Sequence, residues 1–114
     1  MKETGLKSLK GEQGKAKRTI AVVGGIVGLE PQYRRALEEN NFFPRIYNRD
    51  SASLGEKIKR INGIILFTGT VSHKMAEKIR KMAALREIPL ITVRPSSISA
   101  LKKSVVSFPS QPPL

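Results

Sequence analysis

The run Thr68-Gly69-Thr70-Val71-Ser72-His73 packs three hydroxyls and the chain's one histidine into six consecutive residues. If a helix begins there, its unpaired first-turn amides and roughly half a positive charge favour an anion. Capping by Thr70 or Ser72 explains the same hydroxyls without a ligand. His73 would add an imidazole able to donate or accept a hydrogen bond. Ser72 and His73 do not read as a nucleophile–base pair, because neighbours on a helix point about 100° apart. Arg94, ahead of Pro95 and Ser96, brings a planar fork that suits phosphate or carboxylate. An ion pair with an acid such as Glu87 is the alternative for Arg94.

A second run, Val23-Gly24-Gly25-Ile26-Val27-Gly28, has the outline of a dinucleotide-binding loop with valine at its first glycine. Gly24 and Gly25 would allow a tight turn and let backbone amides approach an anion, although glycines also serve a turn alone. Asp50 follows about twenty residues after Gly28, where such sites place the acid that reads a ribose hydroxyl. Lys74, Lys78 and Lys81 repeat at helical spacing, with Lys57, Lys59 and Arg60 upstream. Such a stripe could track a nucleic-acid backbone, yet no aromatic is interleaved among the lysines to stack a base. A solvated helix face accounts for them more simply.

Composition limits the chemistry. The chain has 114 residues, enough for one domain. It contains no cysteine, which excludes disulfides, thiolate metal sites and a thiol nucleophile. No apolar run approaches the roughly 18 residues of a membrane span, and the start lacks a secretory signal, so a cytoplasmic protein is expected. The formal net charge of +12 attracts phosphate, nucleic acid or acidic surfaces without sequence specificity.

The elements that must position these residues alternate along the chain. Thr19–Val23 is a β-branched run closed by the glycine pair, a buried strand and its turn. Pro31 suits the first helical position, with Tyr33, Ala36 and Leu37 as an apolar stripe ending at Asn40-Asn41. Phe43–Tyr47 reads as a second strand. Ser53 and Glu56 have capping-box spacing and open a helix carrying Leu54, Ile58 and Ile61. Gly63–Phe67 is the central strand, and Met75, Ile79, Met82 and Ala83 mark the longest helix. Pro89–Val93 is a fourth strand, and Ser96 or Ser97 caps a last helix through Leu101. Four strands alternating with four helices predict a three-layer, Rossmann-like α/β fold. Its parallel sheet has the order 2-1-3-4, with helices on both faces. Residues 1–17 read as a flexible basic tail, 18–104 as the domain and 105–114 as a Pro-rich tail. Ligands of such sheets bind where the strand order reverses, between strands one and three.

The segments Val-Gly-Gly-x-x-Gly-Leu-x-Pro-x-Tyr-Arg (Val23–Arg34), Val-Ser-His (Val71–His73) and Arg94 with its serines recur here in a familiar order and spacing. They resemble a bacterial family of Rossmann-like domains of unknown function. The resemblance runs from about Arg18 to Lys103 and implies a fold without naming a reaction. It carries over Gly24, Gly25, Tyr33, Ser72, His73 and Arg94 as candidate site residues. The chain departs from the family pattern at Ile26, where arginine is common, and at Gly69, where an acid is common. It departs again at Thr70 and Met75, where the resemblance implies cysteines and hence thiol or metal chemistry that this chain cannot perform.

The expected function is binding of a phosphate- or carboxylate-bearing small molecule by Gly24, Gly25, Asp50, Thr68, Thr70, Ser72, His73, Arg94 and Ser96. No metal site or cofactor is identified; a nucleotide or phosphate is the class that would fit. A basic nucleic-acid-associated protein using the tail and Lys74, Lys78 and Lys81 is the alternative. A weak hydrolase using His73 is the third reading. Open sheet edges are compatible with a homodimer.

Overall fold

The computed structural model describes residues 18–48 and 60–108. Its four strands are β1 (Arg18–Val23), β2 (Phe42–Tyr47), β3 (Gly63–Phe67) and β4 (Leu90–Val93). All neighbours are parallel, in the order β2-β1-β3-β4 that the alternation predicts. Three helices are described: α1 (Glu30–Glu38), α2 (His73–Leu85) and α3 (Ile98–Val105). The helix expected from Ser53 and Glu56, together with Asp50, Lys57 and Lys59, lies outside the described residues.

The period of two along β1 and β3 splits the core into two layers. Ile20, Val22, Ile65 and Phe67 face Tyr33 and Leu37 of α1 and Leu101 and Val105 of α3. Ala21, Val23, Ile64 and Leu66 face Met75, Ala76, Ile79 and Ala83 of α2. Each fully buried aliphatic contributes about 1.5–3 kcal/mol, so these two layers hold the sheet between its helices.

Local signals differ from expectation in small ways. Pro31 is the second residue of α1, and a short 3-10 turn, Val27–Leu29, precedes the helix. α1 ends where Asn41 takes a left-handed φ of 66°. Ser97 caps α3, accepting from the Ala100 amide at 3.2 Å, and Ser96 is left for another role. The domain also runs past the expected boundary at 104. Val105 is fully buried, and Phe108 packs edge-on against Phe42 at 6.4 Å. The apolar spacing of Val105 and Phe108 had been masked by the prolines that follow. Among the described residues, no helix is long and apolar enough to cross a membrane.

Among the described residues neither edge strand, β2 nor β4, has an outer partner. Tyr47 accepts from the Gly24 amide, so the odd-numbered residues of β2 point their backbone groups inward. Pro44, itself buried, therefore turns its backbone nitrogen to the free edge, and its missing N–H costs no ladder bond.

Candidate functional site

Three loops meet at the carboxyl end of β1 and β3, where the strand order reverses. They are 24–29 after β1, 68–72 after β3 and 94–97 after β4. Thr70 is the knot. Its Oγ1 accepts from the Gly25 amide at 2.7 Å and from Ser96 Oγ at 3.2 Å, and it donates to the Phe67 carbonyl at 3.3 Å. Tyr33 makes a second tie from a fully buried ring. Its hydroxyl accepts from the Ile26 amide at 3.0 Å and donates to the Ser96 carbonyl at 2.6 Å.

This arrangement explains the glycine pair. Gly24 and Gly25 sit at φ of 90° and 97°, a region that side chains disfavour. A Cβ on Gly25 would lie 2.8 Å from Tyr33 Cε2, and one on Gly24 would lie 2.6 Å from Val71 Cγ1. The amides of Gly24, Gly25 and Ile26 all donate within the chain. The pair was expected to present free amides to a ligand, whereas here it lets three loops close on one another.

Ser72 is the N-cap of α2, its Oγ accepting from the Met75 amide at 3.0 Å. Its hydroxyl makes no hydrogen bond to His73. The His73 side chain is 89% exposed, with Nε2 at 4.0 Å from Glu77 Oε2. The amides of His73 and Lys74 have no acceptor among the described residues. Thr68 and Arg94 leave β3 and β4 side by side, because the register pairs Phe67 with Val93 and the Thr68 amide donates to the Val93 carbonyl at 2.8 Å. The exposed Arg94 side chain has no hydrogen-bond or ion-pair partner among the described residues. Its Cγ lies 3.9 Å from the point a Cβ on Gly69 would occupy, so the arginine leans across the loop that enters α2.

The structure thus brings together every expected site residue it describes, and divides them by role. Gly24, Gly25, Thr70, Ser72 and Ser96 are spent on internal bonds or close contacts, while His73 and Arg94 are exposed and Thr68 is half-buried. Lys74, Lys78 and Lys81 are exposed on α2, and Lys78 is engaged with a neighbour. Two residues were missed in their true roles. Tyr33 is both apolar stripe and a site candidate in the sequence, but its tie between loops is not legible there; a buried tyrosine hydroxyl needs partners, and that need is the available signal. Gly69 makes room for the Arg94 carbonyl, which would stand 2.6 Å from a Cβ there. No group of three or more His, Asp or Glu that could hold a metal occurs among the described residues.

Comparison with known structures places this geometry in a wider group. A de novo designed Rossmann fold protein superposes with a TM-score of 0.58 at 16% identity, covering 79% of this chain and 95% of that one. The lactose-specific IIB component domain of the phosphoenolpyruvate:carbohydrate phosphotransferase system from Streptococcus pneumoniae gives 0.56 at 15% identity, covering 80% and 89%. At such identities the likeness is one of fold, and the fold is Rossmann-like. No curated protein sequence matches significantly. Residues 19–107 match a family described as an uncharacterized protein conserved in bacteria, and the chain belongs to that family, DUF2325.

Proposed function

We propose that this domain binds a small phosphate- or carboxylate-bearing molecule at the carboxyl end of its sheet. Arg94 carries the reading. It is an exposed guanidinium at the carboxyl end of the edge strand β4, next to β3, with no partner among the described residues, and its stem passes beside Gly69 in the loop that leads to a 13-residue helix. Such a fork binds a planar anion in two parallel hydrogen bonds. In this reading Thr68 adds a hydroxyl beside the guanidinium, the His73 and Lys74 amides add donors, and His73 lies at the rim. The glycine pair and Thr70 hold the loops in place and do not touch the ligand.

The test is a thermal-shift screen with inorganic phosphate, nucleotides and sugar phosphates. A ligand at 100 times its Kd adds about 2.7 kcal/mol, which raises the midpoint of a domain this size by about 10 °C or more. Arg94→Ala should abolish that shift while the ligand-free melting point stays within about 4 °C of the parent, as for an exposed substitution. A shift that survives in Arg94→Ala, or no shift with any of these anions, would overturn the reading.

A further inference from the structure

A second surface, remote from Arg94 and independent of it, runs along the free edge of β2. A shallow groove of about 330 Å³ is lined there by Arg34, Phe43, Pro44, Arg45, Ile46 and Tyr47. Of the chain's four phenylalanines and two tyrosines, Phe43 alone is exposed, with half of its surface in water. Arg45 lies two residues on along the strand, on the same face, with its guanidinium carbon 5.7 Å from the ring centroid. Arg34 reaches the same groove from α1, and no acid lines it among the described residues.

We propose that this edge binds single-stranded nucleic acid, with a base stacked at Phe43 and the flanking phosphates met by Arg34 and Arg45. Three observations select this occupant. The groove is open along its length, which suits a polymer passing over it better than a small molecule that must be enclosed. A second strand is disfavoured, because Pro44 offers no outward N–H for a ladder and two arginines would face the same pair in a second copy. The lining is cationic in a chain with 21 Lys and Arg against 9 Asp and Glu, so the occupant is a polyanion. The exposed ring, with the Arg45 guanidinium over it and Arg34 in the same groove, then singles out a polyanion that carries bases. Stacking on an aromatic with arginine alongside is how single strands are held without sequence preference.

The experiment is fluorescence anisotropy of a labelled oligouridylate with the full chain, titrated at several salt concentrations. The parent should bind, with an affinity falling by about 0.7 log units per log unit of salt for each phosphate neutralised. Phe43→Ala should weaken binding about 5- to 150-fold without any change of charge. Phe43→Leu, which keeps apolar bulk and protects the fold, should fall in the same direction, and Phe43→Tyr should restore binding. Arg34→Gln with Arg45→Gln should flatten the salt slope by about 1.4, and Lys102→Gln with Lys103→Gln on α3 should weaken binding less. No binding at low salt would overturn the proposal. So would parental affinity in Phe43→Leu, which would assign binding to charge alone. Competition by polyglutamate as strong as by unlabelled oligouridylate, and indifferent to Phe43, would assign the edge to acidic peptides and overturn it equally.

Discussion

Replacing Gly25 by alanine tests the account of the loop junction most directly. At a φ of 97°, an alanine pays for a left-handed backbone, about 1–2 kcal/mol. Its Cβ would also stand 2.8 Å from Tyr33 Cε2, 3.1 Å from the tyrosine oxygen and 3.2 Å from Phe67 Cδ2. Neither ring can retreat easily. Both are fully buried, their centroids are 5.3 Å apart, and the Tyr33 hydroxyl is held by two hydrogen bonds. Forcing a methyl group into such packing costs about 1–3 kcal/mol more. The expected loss is therefore about 2–5 kcal/mol, against a total stability on the order of 5–15 kcal/mol for a domain of this kind.

Urea unfolding followed by circular dichroism reads this directly, and the melting point should fall by about 10–30 °C. Gly28→Ala is the internal control, since nothing lies within 4 Å of a Cβ there and its φ is not left-handed. That variant should be neutral or more stable by about 0.4–1 kcal/mol, because alanine narrows the unfolded ensemble. No ligand is present in either measurement, so a loss at Gly25 reports packing alone. If Gly25→Ala costs less than about 1 kcal/mol, or no more than Gly28→Ala, the glycine pair is not there to admit Tyr33. The ligand-amide role would then have to be reconsidered.

Tyr33→Phe keeps the ring and removes the hydroxyl that bridges the Ile26 amide to the Ser96 carbonyl. It should cost about 1–3 kcal/mol by leaving both groups short of a partner, and amide hydrogen exchange at Ile26 should speed up about 5- to 150-fold. Unchanged exchange at Ile26 would show that the bridge does not form in solution. Phe108→Ala should destabilise the domain by about 3–5 kcal/mol, since the ring packs against Phe42 in the layer beneath α1 and α3. A melting point unchanged by that substitution would restore the domain boundary to residue 104.

The strand order was legible because short strand-like runs alternate with helical stripes at their own period, and that alternation implies parallel neighbours joined by crossovers. What escaped was every feature that depends on a partner distant in sequence. Gly24 and Gly25 look alike whether they admit a phosphate or a tyrosine, and only the fold shows Tyr33 and Val71 in the space. Ser96 and Ser97 are equivalent as caps on paper, but Ser97 lies one residue before α3 and Ser96 is drawn to Thr70. Phe108 was hidden by its neighbours, since three following prolines suggest an extended end even when the ring before them is buried. Phe43 and Arg45 illustrate a different failure. Their spacing of two on a strand places them on one face, but the lysine stripe of α2 dominates the basic pattern of the sequence and has no aromatic beside it.

The division of labour at the carboxyl end follows from what the hydrogen bonds leave over. The loop after β1, which in shape promises an anion cradle, has its Gly24, Gly25 and Ile26 amides committed to Tyr47, Thr70 and Tyr33. A ligand could recruit them only by opening the Tyr33 and Thr70 ties at the same time, at about 1–3 kcal/mol for each group left unpaired. Binding through Arg94, Thr68 and the start of α2 requires no such opening. Those groups stand on loops that the ties already hold, so under the proposed reading the backbone loses little freedom on binding and the ordering cost falls on the exposed Arg94 side chain. The same ties that commit the glycine-loop amides therefore hold the backbone from which Thr68 and Arg94 project.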